Sequence, residues 1–186
     1  MTRFEFLSVL ISIVIALGIT EVTFSWGRLI QNRRWVRFSW LHAFWTAFAL
    51  VLMIQFWWGF WNFRTVEEWS LTSLFFVVLE AMIMVICALL LTPNRALTGK
   101  IDLTDLYYDN ARPFFLCATI LMIQLGLVDS LVLGTPLLHA ENLVRLTGAA
   151  STALLAWSPN HRLHVAFPFI AVVLFTTFLL NSIQIQ

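Results

Sequence analysis

WSLTSLFFVVLEAMIMVICALLLT, residues 69–92, is an apolar run broken by a single charge, Glu80. A helix needs roughly 20 apolar residues to cross a bilayer core about 30 Å thick, and this run is long enough. Its backbone amides would find no water in lipid, so it must satisfy them internally as a helix. Similar runs occupy residues 4–30, 39–63, 113–134, 138–157 and 164–181. Alternating strands of about ten residues are absent, which excludes an outer-membrane barrel. The expected fold class is all-α: one integral membrane domain over residues 1–186, a bundle of six transmembrane helices.

Composition agrees. Of 186 residues, 60% are hydrophobic and 11% charged, against about 45–50% and about 25% in soluble domains. The formal net charge of +1 gives no field to attract nucleic acid, and no nucleic-acid partner is expected. Cys87 and Cys117 form no CxxC and lie in apolar runs, where cysteine acts as a small hydrophobe. The first run follows one basic residue, lacks a small-x-small site and continues past Glu21. It reads as a retained span, not a cleaved leader.

Turn chemistry divides the spans. Thr92-Pro93-Asn94, Gly134-Thr135-Pro136 and Ser158-Pro159-Asn160 close the third, fourth and fifth runs. Basic residues then orient the bundle. Arg28, Arg33, Arg34, Arg37, Arg95, Lys100, Arg112 and Arg162 fall in loops on one side, and only Arg3 and Arg64 on the other. The positive-inside rule makes the first side cytoplasmic, so both termini are expected in the periplasm. Trp26, Trp35, Trp40 and Trp157 fall at one set of span ends, and Trp57, Trp58, Trp61 and Trp69 at the other. That is an interfacial belt rather than a ligand box, and only Trp45 sits deeper. The stretch 95–112 reads as a cytoplasmic loop with a short amphipathic helix. Asp102, Asp105 and Asp109 share one face, and Leu103, Leu106 and Tyr107 another. No metal site is expected there, because basic residues share the loop and EF-hand spacing is missing.

Ionisable groups inside a span are costly and usually face the bundle interior. At about 1.5 Å per residue, Glu80, Gln124 and Arg145 lie roughly 17–18 Å from the cytoplasmic edge. Gln55, Asp129 and Glu141 lie roughly 24 Å from it, and Glu21 and His42 nearer to it. Equal depth and opposite charge predict a Glu80–Arg145 salt bridge. Gln124 would accept a remaining Arg145 proton, and Glu141 stands four residues before Arg145 on the same helix. The small residues around Gly148 and Ala149 predict that the fifth span is central. The sixth, with Phe167, Phe169, Phe175 and Phe178, would face lipid or another protomer. The first span carries Glu5, Ser8 and Ser12 on one face and Gly18, Glu21, Ser25 and Arg28 on the opposite one. Opposed polar stripes predict a homo-oligomer.

No HExxH, GxSxG, P-loop or GxGxxG is present, so no enzyme activity and no cofactor are expected. Haem ligation would need histidines in facing spans, and only His42 lies inside one. The opening Phe4-Glu5-Phe6-Leu7-Ser8-Val9-Leu10-Ile11-Ser12 with Leu17-Gly18-Ile19-Thr20 resembles a family of short six-span bacterial inner-membrane proteins of unknown function. So do the Trp-rich second span, Asp102-Leu103 with Tyr107-Tyr108, and Arg112 before Phe114-Phe115. The resemblance implies a multi-pass inner-membrane location, and no activity or functional residue carries over from it.

Three functions are compatible with the sequence. The first is a small oligomeric channel or transporter for protons or cations, with Glu21, Gln55, Glu80, Gln124, Asp129, Glu141 and Arg145 as path or buried polar cluster. It requires a water cavity joining their depths. The second is a structural or interaction subunit of a larger membrane complex, in which buried ion pairs only fix helix register. The third is a lipid- or small-ligand-handling protein with a site beside Trp45 and Gln55. Membrane lipids are the expected surroundings in each case.

Overall fold

The computed structural model describes residues 2–66, 68–93 and 100–183. Six helices make up the bundle: α1 (Arg3–Gln31), α2 (Trp40–Gly59), α3 (Leu71–Leu91), α4 (Leu103–Val132), α5 (Ala140–Trp157) and α6 (His161–Ile183). A 3₁₀ segment, Phe60–Thr65, extends α2. Two short parallel strands, β1 (Val36–Arg37) and β2 (Ile101–Asp102), join the α1–α2 link to the start of α4. Five helices are long and apolar enough to cross a membrane: α1, α2 with its extension, α3, α4 and α6. They are the helices of a multi-pass membrane protein. Residues 95–99 of the expected amphipathic loop lie outside the described residues.

Successive helices run in opposite directions. Phe4 stacks on Phe60 at 5.3 Å, which puts the start of α1 beside the end of α2. Phe60 also meets Trp69, just ahead of α3. At the other end His42 reaches the Leu91 carbonyl, and Tyr107 reaches His164. We call the end holding Phe4 and Phe60 the terminal end, and the end holding β1 and β2 the arginine-rich end.

Local chemistry fixes the helix limits. Thr2 and Glu5 form a reciprocal capping box on α1. Ser70 accepts from the Ser73 amide, and Asp102 from the Thr104 amide at 2.8 Å. The last α3 carbonyl has no helical partner. His42 Nε2 donates to it at 2.7 Å, which fixes the ring tautomer as well as the helix end. Gly134 adopts φ +69°, open to glycine without a Cβ penalty. The chain can then fold back so that the Thr135 amide donates to the Asp129 carbonyl.

Two expectations need correction. Residues 103–112 are not a separate surface helix, because α4 runs unbroken from Leu103 and carries Pro113 internally. The ring removes one amide bond, to Asp109, and the turns on either side hold. The expected faces survive: Leu103 and Tyr107 are buried, Asp105 and Asp109 exposed. Second, α5 is peripheral, packed mainly on α4 and α6. Its buried residues Ala149, Thr152 and Ala156 form one stripe, while Leu143, Leu146 and Leu154 project outward. The most buried span is α3. The polar stripes of α1 are only partly satisfied within the chain, since Ser25 Oγ and Arg28 Nε find no partner among the described residues. Ser8 and Ser12 donate to carbonyls of their own helix, Ser12 also accepts from Trp57 Nε1, and Arg28 binds Glu21 at 3.1 Å. Gly18 packs so closely on α2 that a Cβ would lie 2.7 Å from Met53 Sδ.

The remaining α1 surface is apolar. Phe6, Val9, Ile13, Leu17 and Phe24 recur at helical spacing and are all exposed. In water such a stripe would be an aggregation surface, whereas in a bilayer it meets lipid. Phe169 and Val173 give α6 a similar outer face, but Phe167 is buried against Trp45. The expectation that α6 faces outward thus holds for only part of its circumference.

At the arginine-rich end Asp102 caps α4 and binds Arg37 Nη1 at 2.9 Å. The Thr104 amide first, and then the Arg37 charge, hold its carboxyl below the ordinary aspartate range. A lowered folded value stabilises the fold above the unfolded pKa, and the gain is lost as pH falls through the folded one. Asp102→Ala is expected to lower the melting temperature in detergent at neutral pH. The gap to the unsubstituted chain should close on acidification below about pH 4.

Candidate functional site

A cavity of about 1470 Å³ lies among the helices at the terminal end. Its mouth carries the exposed side chains of Trp58, Trp61, Asn62 and Arg64. All six helices contribute to its wall, from Ser8 and Ser12 on α1 to Phe175 and Phe178 on α6. It descends to Trp45, some fourteen residues along α2 from Gly59, or roughly 21 Å. Among the described residues, none from the arginine-rich loops lines it.

The floor is aromatic. Trp45 stacks on Phe167 at 6.0 Å and meets Phe115 edge-on at 5.1 Å and Phe114 at 5.7 Å. Beneath Phe115, buried Tyr107 bonds His164 Nδ1 at 2.8 Å, and His164 Nε2 bonds the Ser158 carbonyl at 3.0 Å. The carbonyl can only accept, so Nε2 carries a proton. In the neutral ring the Tyr107 hydroxyl then donates to Nδ1. Tyr108 pairs likewise with His161. Sequence reasoning missed both Tyr–His pairs. The available signal was that Tyr107-Tyr108 and His161–His164 begin helices at the same end.

The predicted residues separate into three groups. Glu21 lies off the cavity, paired with Arg28. Gln124 also lies outside it, and its amide donates to the Phe76 carbonyl at 2.8 Å. Phe76 is the helical acceptor for the Glu80 amide, so Gln124 joins α4 to α3 at the turn that holds Glu80. Gln55, Glu80, Asp129, Glu141 and Arg145 all line the cavity. So do Trp57, Trp58 and Trp61, whose interfacial position coincides with the mouth.

The expected Glu80–Arg145 salt bridge is not formed. Arg145 Nη1 instead contacts Asp129 Oδ2 at 2.6 Å and donates to Asn142 Oδ1 at 2.9 Å. Its Nη2 lies 3.8 Å from Glu141. The cause is side-chain direction. The long Arg145 chain extends toward the terminal end, where the Gly134 turn brings Asp129 and the first turn of α5 brings Glu141. Equal depth left this direction unspecified. Gln124, committed to Phe76, takes no Arg145 proton.

Glu80 is left without a direct partner. It is 1% exposed, forms no ion pair among the described residues, and its Oε1 has no hydrogen bond. Six buried side-chain atoms lack partners among the described residues. Three of them, Glu80 Oε1, Trp45 Nε1 and His139 Nδ1, belong to residues on this one cavity wall. Buried polar atoms are normally satisfied, so Glu80, a cavity-lining residue with an orphaned carboxyl oxygen, stands out among them. The cavity lining carries three carboxyls, Glu80, Asp129 and Glu141, and two guanidiniums, Arg145 inside and Arg64 at the mouth.

No family model, curated protein or solved structure matches the chain. The assignment of function rests on the site.

Removing one partner of a buried ion pair strands the other, at about 3–5 kcal/mol. Arg145→Met, which strands Asp129 and Glu141, is expected to cost that much in denaturant unfolding in detergent. Asp129→Asn keeps a hydrogen-bond acceptor and should cost less, about 1–3 kcal/mol. Adding Asp129→Asn and Glu141→Gln to Arg145→Met should restore much of the loss. An Arg145→Met protein as stable as the unsubstituted chain would refute the network.

Proposed function

We propose that this chain is a cation or proton carrier of the bacterial inner membrane. Its six helices would all span, with both termini in the periplasm and the arginine-rich loops in the cytoplasm. Glu80 carries the reading: a buried carboxyl, without a partner, on the wall of a cavity that opens at one end. A carboxylate at membrane depth is expensive unless a proton or cation joins it. A group that must exchange one for the other is suited to a carrier. The aromatic floor favours a carrier that admits its cargo from one side at a time over a continuous pore.

The sixth span rests on α5. It is short and charged at its start, but Glu141 and Arg145 fall in its first two turns, near the terminal interface. A purely structural role accounts for Arg145, Asp129, Glu141 and Gln124, all of which are engaged with the protein. It gives no role to an unpaired Glu80.

In proteoliposomes, Glu80→Gln is expected to abolish gradient-driven proton or cation flux. Asp105→Asn, exposed at the start of α4, should leave flux unchanged. Flux undiminished by Glu80→Gln would remove the proposal. For orientation, a Gln186→Cys chain should react with an impermeant maleimide from the periplasm. Labelling only from the cytoplasm would invert the assignment.

A further inference from the structure

We infer that the cavity's cargo is a lipophilic organic cation, an ammonium or phosphonium bearing an apolar body, with its charge at Glu80. The inference rests on the carrier reading and supplies its substrate class. Size is the first argument. About 1470 Å³ exceeds the roughly 300–1,000 Å³ of ordinary small-molecule pockets and is far more than a bare ion requires. Hard inorganic cations are held by several converging oxygen ligands. Among the described residues no three His, Cys, Asp or Glu side chains converge as a metal site.

The wall chemistry is the second argument. Trp45, Phe48, Phe56 and Phe175 line the same cavity as Glu80, and an apolar body can lie against them. Ring faces also attract cations, more strongly once water is excluded. This wall already shows such contacts. Arg145 lies 5.4 Å from the centre of the Phe178 ring, and Arg64 lies 5.2 Å from that of Trp61. All four residues line the cavity. Arg145 is balanced by Asp129 and Glu141, and Glu80 is the carboxyl that remains for a cation from outside.

The third argument is the shape of the route. Trp57, Trp58 and Trp61 stand at the mouth, between 50% and 65% exposed. Indole rings at an interface suit molecules that are apolar on one side and charged on the other. Such a cation would meet ring faces first and the carboxyl last.

The test is equilibrium binding of tetraphenylphosphonium to the full chain in nanodiscs, with protein-free discs as blank. Saturable binding is expected, weakened at least about tenfold by Glu80→Gln. Phe48→Ala should weaken it about two- to fivefold, the worth of one ring face. Asp105→Asn should not change it. Competition supplies a readout that does not depend on the folding of Glu80→Gln. Acidification and tetrabutylammonium should displace the probe from the unsubstituted chain, and sodium at equal concentration should not. A lipid ammonium headgroup offers the same chemistry. If it is the resident cation, discs containing phosphatidylethanolamine should bind less probe than phosphatidylglycerol discs after blank subtraction. Equal binding assigns the site to free cations.

No saturable binding by folded protein, or binding unchanged in Glu80→Gln, overturns the inference. Glu80-dependent flux of protons or sodium without probe binding would sink the substrate class alone and leave the carrier. Glu80-dependent probe binding with no flux of any cation would sink the carrier and leave the site.

Discussion

Water is scarce across most of this chain's surface, and the need to satisfy polar groups without it organises the bundle. Hydroxyls on the helices donate back to their own carbonyls, as Ser8, Ser12, Thr119, Thr147 and Ser151 do. The α3 terminus is closed by His42, and the α4 start by Asp102. Thr119 and Thr152 bond each other at 2.9 Å where α4 meets α5. Apolar contact between helices gives little net drive in lipid, because the tails are as apolar as the side chains. These polar contacts, together with close approaches such as Gly18 on Met53, therefore set how the helices register. Against that background, one unpartnered carboxyl on a cavity wall is informative.

The cavity follows from where the helices separate. At the arginine-rich end α2, α4 and α6 converge through Trp45, Phe115 and Phe167. At the terminal end the 3₁₀ extension of α2 and the turn between α4 and α5 both contribute residues to the cavity wall. Arg145 bridges α4 and α5 across this wider end. It holds the hairpin closed and keeps its own charge on the wall.

Spans were legible in the sequence because lipid imposes a length, and an unbroken apolar run of the right length has few alternatives. The start of α4 was misplaced because Pro113 was taken as a boundary. Proline costs a helix one amide bond and crowds the preceding turn, but the helix can continue through it, as α4 does. Membership of the polar site was partly legible as well, since Gln55, Glu80, Asp129, Glu141 and Arg145 do share one cavity. Pairing was not legible. Counting along a helix yields depth, whereas partnership depends on azimuth and on side-chain direction, which a single sequence leaves open. Glu21 and Gln124 do not line that cavity, having partners at their own depth outside it. Trp57, Trp58 and Trp61 show a different limit, because interfacial preference and a place at a cavity mouth select the same residue.

For the carrier proposed above, the same contacts say which parts can move. The floor between α2 and α6 is made by ring contacts, Trp45 on Phe167 and Phe48 on Phe175 at 5.6 Å, with no ion pair between these two helices among the described residues. Such contacts are non-directional, and lipid or a ligand's apolar body can replace them at small cost. The joint between α3 and α4 is different. Gln124 grips the Phe76 carbonyl one turn from Glu80, and separating them would strand an amide in a dry interior. Opening the floor therefore calls for α2 and α6 to part while α3 and α4 carry Glu80 as a fixed unit. The Tyr107–His164 bond moves with α4 and α6, so α6 must turn about that contact or break it. In this arrangement a cation bound at Glu80 would stay at one depth while access to it changes from one end of the bundle to the other.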